Sequence, residues 1–297
     1  MNMSGRATAG QARNVTAKLL KIGLSPARAT LNSRTLKRYQ DLGLPPQLYP
    51  AIAYLVTGRL QPRDRAVSDR VEGLRRKLAQ HGSETIADHA GKLTVPGVEM
   101  QSFKRIAEHV SVSKRFGIFL YLCAEGFDAK RILELGACAG ISGCYLTSAP
   151  RCAEFVSLEI SPALAQIARE NLGQITHNAT VINADFDSGL GAVIAPETAP
   201  FDLVWIDGHH EKDATIRYFE RLQPHVSPGS LMLFDDINWT PEMREAWDIV
   251  RTWSGFSVTI NASRMGLGVV KERESSQAPQ SWALKPQPFG VTTLERE

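Results

Sequence analysis

Two short acidic clusters in this sequence carry residue types suited to chemistry. Asp207, His209, His210 and Glu211 follow the apolar run Leu203 to Ile206, and Asp235, Asp236, Asn238 and Trp239 follow Leu231 to Phe234. Hard cations take clustered oxygen ligands, so Asp207, Asp235 and Asp236 are candidate ligands for one magnesium-like ion that polarises a substrate hydroxyl. The same carboxylates can instead position a cofactor or cap helices. His209 and His210 belong to the residue type that exchanges protons near neutral pH and are candidate general bases; loop histidines are also commonly structural or solvated.

A third cluster is the stretch RILELGACAGIS, Arg131 to Ser142. An apolar run ending near Glu134 passes through Gly136, Ala137 and Gly140 into a helix-like start at Ile141 and Ser142. Glycines there let the backbone turn tightly and approach a ligand. Glu159 falls at the end of the next strand pattern, 19 residues beyond Gly140, where a carboxylate can accept both hydroxyls of a ribose. Asp185 and Phe186 follow the third strand pattern and offer a carboxylate to an exocyclic amine and a ring face to a purine. Each has a plainer role as strand end, turn or core residue; together they suggest an adenosine ligand.

These positions need strands that end at one edge. Strand patterns occur at Arg131 to Leu135, Phe155 to Glu159, Thr180 to Asn183, Leu203 to Ile206, Leu231 to Phe234, Ser257 to Ile260 and Leu267 to Val270, with helical patterns after the first five. That alternation predicts a doubly wound, Rossmann-like α/β sheet with ligands at the carboxyl ends of its strands. Three regions follow from composition. Residues 1–97 form a basic helical region suited to a cap or dimer contact, with a frayed start, two short basic helices between Ala12 and Leu42, further helices at Tyr49 to Val56 and Arg63 to Gln80, and a linker at His81 to Gly97. Residues 98–271 hold the ligand-binding domain, and 272–297, polar and proline-bearing, read as a loosely ordered tail.

The composition is that of a globular chain: 297 residues, 43% hydrophobic and 22% charged. It has no uninterrupted apolar run of membrane-spanning length and no signal-peptide pattern at the start, so a cytoplasmic protein is expected. Cys123, Cys138, Cys144 and Cys152 lack metal-binding spacing. The net charge of +3 conceals an asymmetry, since residues up to Gln80 carry 15 Lys/Arg against 4 Asp/Glu. Such a region can hold nucleic acid or dock on the acidic remainder of the chain or of a dimer mate.

The ordered motifs LELGACAGIS, VSLEIS, NADF, FDLVWIDGHH and SPGSLMLFDDINW resemble class I S-adenosylmethionine-dependent methyltransferases, over roughly Ser111 to Lys271. The likeness is strongest to bacterial O-methyltransferase-like proteins related to the catechol type. It implies a seven-stranded, mostly parallel sheet with an antiparallel last strand. It also implies cofactor contacts at Glu134, Gly136, Ala137, Gly140, Ile141, Ser142, Glu159, Asp185, Phe186 and Asp207, and catalysis by Asp207 with His210. Catechol-type relatives bind magnesium through an aspartate after the fourth strand and an Asp-Asn pair after the fifth; here those positions are Asp207 with Asp235 and Asp236. Cys138 stands where many members have glycine. The expected activity is O-methylation of a small molecule by a homodimer. The alternatives are methylation of RNA or protein, a non-catalytic S-adenosylmethionine-binding subunit, and a nicotinamide-dependent oxidoreductase, for which the G-x-G-x-x-G register is lacking.

Overall fold

The alternating apolar runs assemble into one sheet whose middle strands carry all three clusters at the same edge. A computed structural model of the chain describes residues 25–80, 85–88, 99–195, 197–272, 277–287 and 291–297. Three helices come first, α1 (Ser25–Asp41), α2 (Tyr49–Thr57) and α3 (Pro62–Gln80). A two-stranded antiparallel ribbon follows, β1 (Thr85–Asp88) with β2 (Glu99–Ser102). After a π-helical turn at Ile106–Val110 comes α4 (Lys114–Gly126). The frayed start, the first of the two short basic helices and most of the expected linker lie outside the described residues.

The doubly wound part alternates as expected. β3 (Arg131–Leu135) leads into α5 (Ile141–Leu146), β4 (Glu154–Glu159) into α6 (Pro162–Gly173) and β5 (Ala179–Asn183) into α7 (Phe186–Val193). β6 (Phe201–Ile206) leads into α8 (Lys212–Leu222) and β7 (Val226–Phe234) into α9 (Pro241–Val250), before the antiparallel hairpin of β8 (Phe256–Ala262) and β9 (Met265–Val270). Helix starts are chemically marked. Ser161 and Thr240 accept from the backbone N–H three residues on, and each is followed by proline, whose missing N–H costs nothing at a helix start.

β3 pairs in parallel with both β4 and β6, so the chain winds outward from β3 in one direction and, after returning to β6, in the other. This reversal is the place where the crossover helices part and leave a crevice above the strand ends. Period-two alternation splits the core into two layers. Ile132, Leu203, Trp205, Leu231 and Leu233 face α1 to α6, and Leu133, Leu135, Val204, Ile206, Met232 and Phe234 face α7 to α9. The first three helices share the former layer: Tyr39, Ile52, Leu55 and Val71 lie in the same buried cluster as Trp205 and Phe119.

Two expectations are corrected. Among the described residues the sheet has nine strands, not seven, in the order β11-β10-β8-β9-β7-β6-β3-β4-β5. The added strands, β10 (Gln280–Gln287) and β11 (Val291–Arg296), occupy the stretch read as a loose tail. β10 runs parallel to β8 and β11 antiparallel to β10. Trp282, Leu284 and Leu294 bury the face turned to the core, and Pro286 stands near the strand end, where loss of an N–H is tolerated. α1 covers this addition, with Thr35 donating to the Thr292 carbonyl at 2.7 Å. No helix among the described residues is long and apolar enough to cross a membrane.

Candidate active site

The strand-end loops are locked to one another by backbone. The Gly136 and Ala137 amides donate to the Leu158 carbonyl at 3.0 Å, Asp207 N–H to Leu135 and Asp235 N–H to Ile206, both at 2.9 Å. Gly136 has φ +101°, and a Cβ there would lie 1.9 Å from the Asp207 carbonyl oxygen. Gly140, at φ +77°, presses on Ala168 of α6, so a side chain would separate helix and turn. Cys138 has φ +46°, a conformation in which glycine would be unstrained. Its backbone N–H donates to Glu159 at 2.7 Å, while the other Glu159 oxygen accepts from Ser161 N–H at 2.8 Å. Glu159 is thus fixed in orientation at a buried position.

Glu134 is completely buried beneath the turn and accepts from the Ser157 hydroxyl at 2.6 Å. Burial pushes its carboxyl up to about 7, against the Ser142 and Ser157 hydroxyls that stabilise the charged form. Ala137, Ile141 and Ser142 are buried around it. Over the turn lies a roof, Val110 to Val112, which with Gly136, Cys138 and Asp207 encloses a gap of about 10 Å³. That is room for about one water, so a larger ligand requires the roof to move outward. The Ser111 hydroxyl on this gap is buried without a hydrogen-bond partner. Arg75 of α3 holds the roof by donating to the carbonyls of Ala107 and Val112. The sequence gives no sign of Ser111 or Arg75 as site residues, because both reach the turn only through tertiary packing.

Beyond Glu159, Asp185 is exposed and caps α7 by accepting from Ser188 N–H at 2.9 Å, a bond that holds its carboxyl below the usual range. Phe186 is buried edge-on against His209 and Tyr218, with ring centroids 5.4 Å away in each case. His209 stacks on Tyr218 and shares a 2.7 Å hydrogen bond with its hydroxyl through Nδ1. Burial lowers the His209 pKa, which keeps the ring neutral. His209 therefore joins the aromatic group beside Phe186, whereas His210 turns to the acidic edge, its Nε2 3.6 Å from Asp207 Oδ1 and its ring against the exposed Trp239. Both histidines and Asp236 have positive φ, so three non-glycine residues hold left-handed backbone at this edge.

Asp207, Asp235 and Asp236 do converge. Burial, followed by the charge of Asp235, raises the Asp207 pKa well above the carboxylate range, and burial with Asp235 also raises that of Asp236. The convergence contains a cation unforeseen in the sequence: Arg264, from the two-residue turn between β8 and β9. Its Nε donates to Asp235 Oδ1 at 2.8 Å, its Nη2 pairs with Asp235 Oδ2, and the same Nη2 lies 2.9 Å from Asp236 Oδ1. Two of the three carboxylates expected to ligate magnesium, Asp235 and Asp236, are therefore engaged by a guanidinium, and among the described residues no group of three or more His, Cys, Asp or Glu is arranged to hold a metal ion. The donor set does not fit a divalent ion. A separate cavity of about 320 Å³, lined by Asn32, Tyr54, Arg115 and Thr292 among others, shares no residue with these loops.

Strand order and switch point define a doubly wound, Rossmann-like α/β fold. Residues 133–237 match the family model described as a methyltransferase domain. A catechol O-methyltransferase of Niastella koreensis is 30% identical over 131 residues, which is 43% of this chain and 58% of that protein. A catechol O-methyltransferase of Mycobacterium tuberculosis is 30% identical over 130 residues, 43% of this chain and 57% of its own length. The matched stretch spans somewhat more than half the length of these curated relatives. The crystal structure of an O-methyltransferase from Bacillus cereus in complex with SAH shares the fold, with a TM-score of 0.51 and 21% identity, covering 70% of this chain and 96% of that one.

Proposed function

We propose that this protein transfers a methyl group from S-adenosylmethionine to a hydroxyl oxygen of a small molecule. The observation that carries this reading is the glycine turn at the switch point, with the fixed Glu159 carboxylate on one side and the unpartnered Ser111 hydroxyl over it. Glu159 receives the ribose hydroxyls, Asp185 and Phe186 flank the adenine, and Glu134, Ser111 and the Gly136 turn surround the amino-acid end. The identity to catechol O-methyltransferases supports an oxygen acceptor.

S-adenosylmethionine, when bound, supplies a methyl group already activated by its sulfonium. The chain's residues align the acceptor and take its proton. Asp207, at the end of β6 beside the glycine turn, accepts the hydroxyl proton, with His210 Nε2 3.6 Å from its Oδ1. The acceptor oxygen then bonds to the methyl carbon, the carbon–sulfur bond breaks with its electron pair left on sulfur, and the products are a methyl ether, the thioether and a proton. Methylation of RNA has less support from the basic N-terminal region, since Arg63, Arg70 and Arg75 are turned to Glu125, Ser148 and the roof of the same chain.

Calorimetry with S-adenosylhomocysteine and with NAD tests the assignment. Micromolar-range binding of the former and none of the latter is expected; the reverse, or no binding of either, overturns it.

A further inference from the structure

Resting on the methyl-transfer reading, we infer that Arg264 is the resident cation of the acidic edge, occupying the place where catechol-type relatives are expected to hold a divalent ion and offering its charge to the acceptor oxygen. Two features show that this guanidinium is built in. First, it makes a two-point pair with Asp235, whose side chain is buried, and bridges to Asp236. Two parallel N–H to oxygen bonds in a largely dry site are the strong form of the arginine–carboxylate contact.

Second, the turn that carries it is tied to the loop that carries the aspartates. Ile237 N–H donates to the Arg264 carbonyl at 2.9 Å, and the Asn238 side chain donates to the carbonyl of Ser263, a residue at φ +72°. Loop and turn are therefore joined directly at the residue that carries the guanidinium.

A divalent ion at this edge would need the Asp235 and Asp236 oxygens that Arg264 holds, and would stand beside a fixed positive charge. Its entry requires expulsion of the arginine and exposure of a buried carboxylate. The guanidinium meanwhile retains an outward edge: the Arg264 side chain is 38% exposed, and its central carbon lies 5.8 Å from the ring centre of Phe116. The guanidinium thus keeps one exposed side near an aromatic ring, while its other side is paired with Asp235 and Asp236. An acceptor hydroxyl placed there develops negative charge next to a preorganised donor, which is the electrostatic service a metal ion otherwise gives. In the group-transfer step the proton still passes to Asp207, and Arg264 exchanges no proton or electron.

The test uses the full chain loaded with S-adenosylhomocysteine, with manganese(II) followed by electron spin resonance and 4-nitrocatechol as a coloured acceptor probe. Wild type is expected to bind no stoichiometric manganese in the micromolar range. Arg264→Ala, which frees Asp235 and Asp236, is expected to gain manganese affinity by about tenfold or more. Wild type without metal is expected to lower the pKa of bound 4-nitrocatechol by about one unit, an effect lost in Arg264→Ala and partly kept in Arg264→Lys. Tight manganese binding to wild type overturns the inference, as does a folded Arg264→Ala with no gain. A probe shift that is absent, or that appears only with manganese, overturns the acceptor-facing role. Folding of each variant is read from its S-adenosylhomocysteine binding. Loss of that binding in wild type defeats the methyl-transfer reading, while the manganese comparison still reports on Arg264.

Discussion

The cofactor side and the acceptor side of the strand-end edge are held by different physics. Around Gly136 the order comes from backbone: amides fix Glu159, and glycine conformations keep the turn against Asp207. Around Asp235 it comes from side-chain charge, one guanidinium offsetting the adjacent carboxylates of Asp235 and Asp236. Backbone geometry is nearly indifferent to salt and pH, whereas a charge cluster is sensitive to both. The cofactor side is thus a fixed socket, and the acceptor side is an electrostatic balance that substitution can tip.

Gly136→Ala is the strongest test of the fixed socket. The new Cβ would approach the Asp207 carbonyl oxygen to 1.9 Å in a backbone conformation that L residues avoid. Strand ends β3 and β6 must then separate, at a cost of about 3 kcal/mol or more. Thermal melting should fall and S-adenosylhomocysteine titration should show binding weakened at least about a hundredfold. Because this glycine touches the residue proposed as base, both sides of the edge should fail together; near-normal binding would show that the socket is not rigid.

Glu134 is the one place where the backbone-held side carries a charge-dependent cost. Its folded pKa, about 7, stands above the ordinary 4.5, so the native state binds this proton more tightly than the unfolded chain does. Stability from this group is therefore fully present below about pH 4.5, declines as pH rises to about 7, and is flat beyond, a loss on the order of 3 kcal/mol. Denaturant midpoints of the ligand-free protein across that window should show the decline, and Glu134→Gln should remove it. A cationic amino group bound nearby would favour the ionised form, so wild-type affinity for S-adenosylhomocysteine should rise with pH up to about 7 and then level. A flat wild-type profile would place the buried charge elsewhere.

The same contrast decides what could be read in advance. Gly136, Gly140, Glu159, Asp207 and Asp235 sit at spacings fixed by the strand–turn–helix unit, so their shared edge follows from local pattern. Arg264 comes 29 residues after Asp235, on a turn that meets the loop only once β9 has inserted between β7 and β8. Its sequence neighbours, Ser263 and Met265, give no hint of the meeting. Ser111, Arg75 and Tyr218 were hidden for the same reason. The tail failed differently: prolines and glutamines around Trp282 and Leu284 imitate disorder, and only the apolar edge of β8 under α1 gives those side chains somewhere to be buried. His209 and His210 are adjacent residues of one type, and their successive left-handed conformations send one toward Tyr218 and the other toward Asp207.

Cys138 provides the smallest effect and the finest separation of backbone from side chain. If the socket works through amides, the thiol is incidental, and Cys138→Gly keeps the N–H that holds Glu159. Relief of the left-handed conformation is worth about 1 kcal/mol, and the greater freedom of glycine in the unfolded chain costs about 0.5–1 kcal/mol, so stability should change by less than about 1 kcal/mol. Affinity for S-adenosylhomocysteine should remain within about threefold, since the Glu159 orientation survives. A tenfold loss in calorimetry would mean that the sulfur itself packs against the ligand, and the division between a backbone-held and a charge-held side would then be wrong at its most exposed point.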